Sequence, residues 1–276
     1  MIQLFKRNII PQTPLYFAII TKKSYKEFSL TLTIIGIGSM AMAMAEGLKD
    51  HHNLEFVARN LNQSEMLKKR FDATLYPLKN FDISNKNIIL AVKPYALLPV
   101  ASQLQGSAHT LYSILAGTPL DALHAIKADY YIRTMPNVAA KFGASSTIIT
   151  GDHVKKEQAS EIFSAIGDTF WVESEKEIDI ATAIAGSGPA LLSLVAEAMM
   201  DGLVKEGMKR PDAMGITNSL FKGFAPLIKS DHPALIKDAV MSPGGTTAAA
   251  YTALEEGAVR ASFINAVKKA FEVTQR

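Results

Sequence analysis

Hydrophobic residues in the first part of the chain fall in short runs that are separated by helical patterns. Residues 32–35, Leu-Thr-Ile-Ile, are rich in β-branched side chains and end at Gly36, which predicts a buried strand. Helices are predicted over residues 40–49 and 64–71. Further strands are predicted at residues 54–58, 87–92, 110–115, 130–134, 145–150 and 169–172. Strands and helices that alternate at this spacing indicate the α/β fold class, with a parallel sheet and helices on both of its faces.

The pattern changes near residue 173. From residue 178 to the C-terminus no strand pattern occurs, and stretches rich in Ala, Leu, Met and Ile are interrupted by turns that contain glycine or proline. We therefore predict an α/β domain over residues 30–173 and an all-helical domain over residues 174–276. Residues 1–29 are expected to be a leader outside the fold, with a transit peptide as the alternative.

Charge and composition limit the class of partner. The formal net charge of the 276 residues is +3, which would favour an acidic partner such as nucleic acid. Residues 1–30 hold five bases and one acid, a net charge of +4, so the rest of the chain carries −1. No apolar run reaches the roughly 18 residues that span a membrane, and the sequence has no cysteine, which is compatible with a reducing compartment. We therefore expect a cytoplasmic protein that binds neither nucleic acid nor a membrane.

A glycine-rich turn follows the first predicted strand. Residues 36–41, Gly-Ile-Gly-Ser-Met-Ala, fit the G-x-G-x-x-A pattern of dinucleotide sites and open the first helix. The first glycine permits a tight turn, the second lets the backbone approach a pyrophosphate, and the amides of the new helix point at the phosphates. The alternative is an ordinary glycine-containing turn, but the position at the first strand–helix junction favours dinucleotide binding.

The end of the second strand indicates which dinucleotide binds. This strand ends at Ala58, Arg59 and Asn60, where a site that prefers NAD usually carries a carboxylate, and Glu55 lies too early in the strand. Arg59 can pair with a 2′-phosphate through its planar guanidinium group. We therefore predict NADPH as the cofactor, with NADH as the weaker alternative. The competing interpretation of Arg59 is a solvated loop charge.

A second anion site is indicated in the helical part. Residues 241–247, Met-Ser-Pro-Gly-Gly-Thr-Thr, place two glycines and then two hydroxyls at the start of a helix, which suits a carboxylate. The alternative is a helix cap, which needs one hydroxyl and no pair of glycines. Residues 186–190, Gly-Ser-Gly-Pro-Ala, open another helix, and ligand binding and helix packing explain them equally well.

The sequence shows no pattern of nucleophilic or metal catalysis. Its histidines are isolated or adjacent, and no serine lies in a G-x-S-x-G motif. Lys93 follows the strand at 87–92 and is either a catalytic acid or, as is commoner at such a turn, a positional residue. A dinucleotide site combined with a carboxylate site points to hydride transfer.

These motifs resemble those of the pyrroline-5-carboxylate reductase family. The most specific is Ser-Pro-Gly-Gly-Thr-Thr at residues 242–247, and residues 36–38, 91–94 and 186–190 fit in order and spacing. The resemblance implies an N-terminal Rossmann-like dinucleotide-binding domain and a helical domain that binds the substrate and forms a homodimer or higher homo-oligomer. It also implies NAD(P)H-dependent reduction of 1-pyrroline-5-carboxylate to L-proline, the last step of proline biosynthesis, by hydride transfer to a cyclic iminium carbon.

The resemblance further implies the residues of the site. The cofactor-binding residues are expected to be Ile35, Gly36, Ile37, Gly38, Ser39, Met40, Arg59, Asn60, Asn80, Ala91, Val92, Lys93, Pro94, Ile114, Leu115 and Ala116. The substrate-binding residues are expected to be Ser187, Ser242, Gly244, Gly245, Thr246 and Thr247. Ser242 and Thr247 are the expected catalytic residues, with Thr247 close to the ring nitrogen of the substrate, and no metal is expected. The alternatives are reduction of a related imine or 2-oxo acid, and a nucleotide-sensing protein that kept the fold.

Overall fold

The structure, a computed structural model, describes residues 29–275 of the chain. The expectation of a leader over residues 1–29 therefore lies outside the described residues, apart from its last position. Strands and helices alternate as far as residue 171, and only helices follow within the described chain.

The elements are numbered in chain order. The strands are β1 Thr31–Ile35, β2 Asn53–Ala58, β3 Thr74–Pro77, β4 Phe81–Asp82, β5 Asn87–Leu90, β6 Leu104–Gln105, β7 Ala108–Ser113, β8 Ala128–Met135, β9 Ser145–Gly151 and β10 Gly167–Trp171. The helices are α1 Ser39–Leu48, α2 Ser64–Phe71, α3 Leu97–Ala101, α4 Leu120–Leu123, α5 Lys156–Ser164, α6 Glu175–Ala185, α7 Gly188–Lys205, α8 Arg210–Ser230, α9 Pro233–Val240, α10 Thr246–Glu256 and α11 Val259–Thr274. Short 3-10 segments lie at Pro94–Ala96, Val138–Phe142 and His153–Lys155.

Eight strands form one sheet in the order β10-β9-β8-β7-β5-β1-β2-β3, and β4 pairs separately with β6. The six strands from β3 to β8 in this order are parallel to one another. The chain runs outward from β1 through β2 to β3 and then continues with β5 on the other side of β1. Ligands of such sheets bind beyond the carboxyl ends of the strands where the order reverses, which here is between β1 and β5.

Three features of the sheet differ from the predicted one. β9 runs antiparallel to β8, because only residues 136–144 connect them and a parallel crossover needs about a dozen residues or more. β3 has no strand pattern strong enough to predict it, since its four residues end in a proline. The strand predicted over 87–92 ends at Leu90, two residues before the expected position.

Apolar side chains fill both faces of the sheet. One cluster packs the sheet against α1 and α5, where Met44 and Phe163 are fully buried. The other packs the opposite face against α3 and α4, where Val100 and Leu123 are buried. Helices therefore cover both faces, as the alternating pattern predicted.

The helices after α6 are exposed over most of their surface. In the described chain, α7, α9, α10 and α11 contain no buried residue. Large apolar side chains point outward, among them Leu194, Leu235 and Ile264, which are 60–67% exposed. An exposed apolar surface of this extent marks a site that another protein or a membrane covers.

One stretch of these helices has the length and composition of a membrane span. Helices α6 and α7, separated by two residues, form the segment Glu175–Lys205, in which a window of 18 residues has a mean hydropathy of 1.6. No uninterrupted apolar run marks this segment in the sequence, because a few polar residues interrupt it, whereas an average over a window tolerates them. Length and composition alone do not separate a membrane span from an apolar helix that packs against protein.

Helix α6 joins the helical part to the sheet. Buried Arg133 on β8 forms ion pairs with Glu175 at 2.9 Å and with Asp179 at 2.6 Å, both on α6. Helix α11 packs back on α6, and its last residue, Thr274, lies against Gly117 in the loop after β7. The end of the described chain therefore reaches the carboxyl edge of the sheet.

Candidate active site

The glycine turn after β1 sits at the point where the strand order reverses. Gly36 has a φ of +114°, and a Cβ there would overlap the carbonyl oxygen of Ala91 and lie 2.9 Å from the carbonyl carbon. The Gly36 amide donates to the Val57 carbonyl at 2.9 Å, and the Ala91 amide donates to the Ile35 carbonyl at the same distance. The turn is thus held between the ends of β2 and β5, and both its φ and its close contact require glycine.

The second glycine of the motif leaves an open cradle. Gly38 is the N-cap of α1, and a Cβ built on it would meet no atom within 4 Å. No side chain caps α1, and its first turn contains no acidic residue. The amides of its first turn therefore remain available as donors, next to the positive end of the helix dipole. This geometry fits the pyrophosphate of a dinucleotide.

Arg59 and Asn60 follow β2 at the same edge, and both are exposed. The Asn60 side chain accepts from the Asn62 amide at 2.8 Å, which orders the loop. Arg59 forms no hydrogen bond or ion pair with any residue in the described range, so its guanidinium group is available to a phosphate. The Leu78 amide donates to the Ala58 carbonyl at 3.0 Å, which brings the loop carrying Asn80 beside this arginine.

Glu55, the carboxylate that lies earlier in β2, already has hydrogen-bond and ion-pair partners. Glu55 accepts from the Thr33 hydroxyl at 3.0 Å and pairs with Lys86 at 2.9 Å. Lys86 immediately precedes β5, at the amino end of that strand. Glu55 is therefore on the opposite edge of the sheet from the glycine turn and does not face a ribose bound there.

The loops after β5 and β7 complete this edge. Ala91 and Val92 are half-buried, while Lys93 and Pro94 are exposed at the start of a 3-10 turn. The Ile114 amide donates to the Leu90 carbonyl at 3.2 Å, so residues 114–116 leave the sheet beside residues 91–94. The residues expected to bind the cofactor thus lie along one continuous edge.

Asn137, which is not among the residues predicted for the site, links this edge to the helical part. It is buried, and its side-chain amide donates to the Ala185 carbonyl at 2.8 Å. The backbone amide of Asn137 donates to the Ser145 hydroxyl at 3.0 Å. Ala185 is the last residue of α6, so Asn137 holds Ser187 near the end of β8. Only its place directly after a predicted strand could have drawn attention to it.

The turn at residues 242–247 has a defined backbone. The Gly245 amide donates to the Ser242 carbonyl at 3.0 Å, and Gly244 has a φ of +69° after Pro243, as in a type II turn. A Cβ on Gly245 would overlap the Ser242 hydroxyl. No side chain caps α10, so the alternative interpretation of these hydroxyls as helix caps does not apply in the structure.

The hydroxyls of this turn are unengaged. Ser242, Thr246 and Thr247 form no side-chain hydrogen bond with any other described residue. Together with the first amides of α10 they form a set of donors suited to a carboxylate. No hydrogen bond or ion pair within residues 29–275 joins this turn to the loops at 35–40, 91–94 or 114–116. Within the described part of one chain, no hydrogen bond or ion pair therefore links the candidate substrate subsite to the candidate cofactor subsite.

Comparison with known proteins gives matches over both parts of the chain. Residues 175–276 match the family model described as pyrroline-5-carboxylate reductase dimerisation. Residues 31–117 match the model described as NADP oxidoreductase coenzyme F420-dependent. The chain is also similar to the pyrroline-5-carboxylate reductase of Helicobacter pylori, with 35% identity over 85% of this chain and 95% of the relative.

Solved structures agree with these matches. The 1-pyrroline-5-carboxylate reductase of Streptococcus pyogenes superimposes with a TM-score of 0.79 at 28% identity, covering 90% of this chain and 98% of that one. The pyrroline carboxylate reductase of Plasmodium falciparum, solved with NADP bound, gives a TM-score of 0.74 at 26% identity, covering 89% and 98%. The Rossmann-like sheet, the helical C-terminal part and the identity along nearly the whole length of the relatives lead to one conclusion: the chain belongs to the pyrroline-5-carboxylate reductase family.

Proposed function

We propose that the protein reduces 1-pyrroline-5-carboxylate to L-proline with NADPH, the last step of proline biosynthesis. The observation that carries this proposal is family membership along nearly the whole chain, combined with an open, uncapped dinucleotide cradle at the sheet's switch point. A purely nucleotide-sensing protein would not need the second set of donors at residues 242–247, which argues against that alternative.

The cofactor proposal is NADPH, with NADH as a weaker alternative. Residues 35–40 would hold the pyrophosphate, Arg59 and Asn60 would hold the 2′-phosphate, and Asn80 would also contact the cofactor. Residues 91–94 and 114–116 would border the nicotinamide side. When bound, the reduced nicotinamide supplies the hydride. Arg59 supports the phosphate assignment because it is exposed and has no ion-pair partner within the described chain.

The substrate proposal places the carboxylate at Ser242 and residues 244–247, with Ser187 nearby. Thr247 would contact the ring nitrogen. Its hydroxyl oxygen would accept a hydrogen bond from the N–H of the protonated, and therefore activated, imine. A protonated cyclic imine accepts hydride without a strong protein acid, so the chain's main task is orientation. Orientation of two bound reactants can supply about 7–11 kcal/mol of the barrier reduction.

We further propose two domains, residues 30–173 and 174–276, and assembly as a homodimer or higher homo-oligomer through the C-terminal helices. The exposed apolar faces of α7, α8, α10 and α11 support this assembly. In such an assembly, the C-terminal helices of another copy of the chain would cover the apolar segment Glu175–Lys205. A cytoplasmic location, with no nucleic-acid or membrane partner, completes the proposal.

The direct experiment is NADPH oxidation by the purified full chain with 1-pyrroline-5-carboxylate. Turnover that requires both compounds is the expected result. Faster turnover of a 2-oxo acid or another cyclic imine would show that this compound, and not 1-pyrroline-5-carboxylate, is the preferred substrate. NADPH binding with no turnover of any of these compounds would favour the sensing alternative.

A further inference from the structure

We propose that Arg133 is a positioning residue, which holds the cofactor-side loop after β7 in place through two carboxylates of α6. This inference rests on the proposed function only in calling the loop a cofactor loop. Within residues 29–275, Arg133 forms no hydrogen bond or ion pair with residues 35–40 or 242–247, and no sequence motif points to it.

Arg133 lies beside the start of this loop. In the β7–β8 pairing it is opposite Ser113, the last residue of β7. The loop leaves the sheet at the next residue and ends at Leu120, where α4 begins. Only 2% of the Arg133 side chain is exposed, so its guanidinium group is enclosed by protein.

The first tether runs through Glu175. One oxygen, Oε1, accepts from Arg133 at 2.9 Å and from the Leu120 amide at 2.7 Å. The far end of the loop is therefore bonded to the carboxylate that Arg133 orients. A buried guanidinium group is always charged and offers its donors in a fixed plane, so it restricts where this carboxylate lies.

The second tether runs through Asp179 and the end of α11. Asp179 accepts from Arg133 at 2.6 Å through Oδ1 and from Gln275 at 3.4 Å through Oδ2. Next to Gln275, the backbone of Thr274 is packed against Gly117: a Cβ on Gly117 would lie 3.1 Å from the Thr274 carbonyl oxygen. The middle of the loop thus rests on a helix end that the same arginine helps to hold.

The two tethers reach the loop at different positions and share one centre, the guanidinium group of Arg133. Residues 114–116, expected on the cofactor side, lie between the strand end at Ser113 and the tethered positions Gly117 and Leu120. Loss of the centre would leave the β1 turn untouched, because that turn is held by Val57 and Ala91. The expected effect is therefore on the nicotinamide half of the cofactor and not on the adenosine half.

Glu175→Ala and Arg133→Lys test the inference without leaving an uncompensated buried charge. Glu175→Ala removes the tether to Leu120 while Arg133 keeps Asp179, and Arg133→Lys keeps the charge but loses the two-armed donor. Glu175→Gln is the conservative rescue, since its carbonyl oxygen still accepts from Leu120. The matched control is Glu177→Ala, which removes a carboxylate from the same helical turn and breaks the capping box of α6 without contact to the loop.

Three properties are measured in all four variants. They are the amide hydrogen exchange of residues 114–120, the separate affinities for NADPH and for adenosine 2′,5′-bisphosphate, and kcat. We expect faster exchange in the loop for Glu175→Ala and Arg133→Lys. The bisphosphate should bind as in the wild type, and kcat should fall by about ten- to a hundredfold, since a displacement of about 1 Å can cost about 10²-fold. Glu175→Gln should recover most of kcat, and Glu177→Ala should keep it.

The inference is overturned if Glu177→Ala matches Glu175→Ala in loop exchange and kcat, because the effect is then one of helix stability. It is also overturned if loop exchange does not change in Glu175→Ala. If the wild-type chain does not turn over pyrroline-5-carboxylate, the proposed function fails, and the hydrogen-exchange comparison still decides whether Arg133 and Glu175 hold the loop.

Discussion

Gly36 and Ala91 are in backbone contact across the point where the sheet reverses its strand order. A side chain on residue 36 would overlap the Ala91 carbonyl, whereas one on Gly38 would enter open space. The two glycines of the motif therefore serve different purposes. Gly36 is required by the protein's own backbone, and Gly38 leaves room for a ligand.

This contrast predicts opposite effects of two alanine substitutions. Gly36→Ala should lower the free energy of unfolding by about 1–3 kcal/mol from backbone strain alone. Gly38→Ala should lower stability by no more than about 1 kcal/mol, because alanine is a poorer N-cap than glycine, but it should weaken NADPH binding, because its methyl group occupies the space proposed for the pyrophosphate. Urea unfolding and NADPH titration measure the two effects. Wild-type affinity in Gly38→Ala would show that the pyrophosphate does not lie there.

Arg59→Ala should discriminate between the two dinucleotides. Loss of a charge-assisted bond to the 2′-phosphate should weaken NADPH by about ten- to a hundredfold, and NADH, which lacks this phosphate, should bind nearly as before. Arg70→Ala is the control, since Arg70 pairs with Glu46 away from the site. Equal losses for both dinucleotides would refute the cofactor assignment of Arg59.

Thr247→Val should affect the substrate and not the cofactor. The substitution keeps the shape and removes the hydroxyl, so kcat/KM for 1-pyrroline-5-carboxylate should fall by about tenfold while NADPH affinity is retained. Thr252→Val, at an exposed position on the same helix, is the matched control. An unchanged kcat/KM in Thr247→Val would remove this residue from the site.

His52 should make stability depend on pH. It is buried, its Nδ1 accepts from the Leu30 amide at 3.4 Å, and burial, helped by the charge of His51, lowers its pKa from 6.5 to about 4. The unfolded chain binds the proton more readily, so stability is lost as the pH falls from about 6.5 towards 4. The expected loss is about 2 kcal/mol between pH 7.5 and pH 5.

His52→Gln keeps an acceptor and removes the titration. Urea unfolding at both pH values should show a smaller pH dependence in this variant than in the wild type. His124→Gln, an exposed histidine, should retain the wild-type dependence. The same pH dependence in His52→Gln and the wild type would contradict the role assigned to His52.

The sequence was sufficient where local residues decide the structure. The turn at residues 36–41 depends on glycines that are adjacent in the chain, so both its shape and its place at the sheet edge were predictable. The change to helices after β10 was equally visible, because strand patterns cease there.

The sequence was insufficient where partners are distant in the chain. The apolar run of β9 is the same whether the strand runs parallel or antiparallel, and the short connection decides its direction. Asn137 and Arg133 gain their importance from Ala185, Glu175 and Asp179, which lie more than 40 residues away. No spacing rule along the chain brings these residues together.

The most direct test of the central claim is the amount of L-proline formed for each NADPH oxidised. Purified protein, NADPH and 1-pyrroline-5-carboxylate are combined, and proline is quantified by chiral chromatography alongside the loss of NADPH absorbance. The account predicts one L-proline for each NADPH, with none formed when either compound or the protein is omitted. NADPH bound by folded protein without formation of L-proline would contradict it.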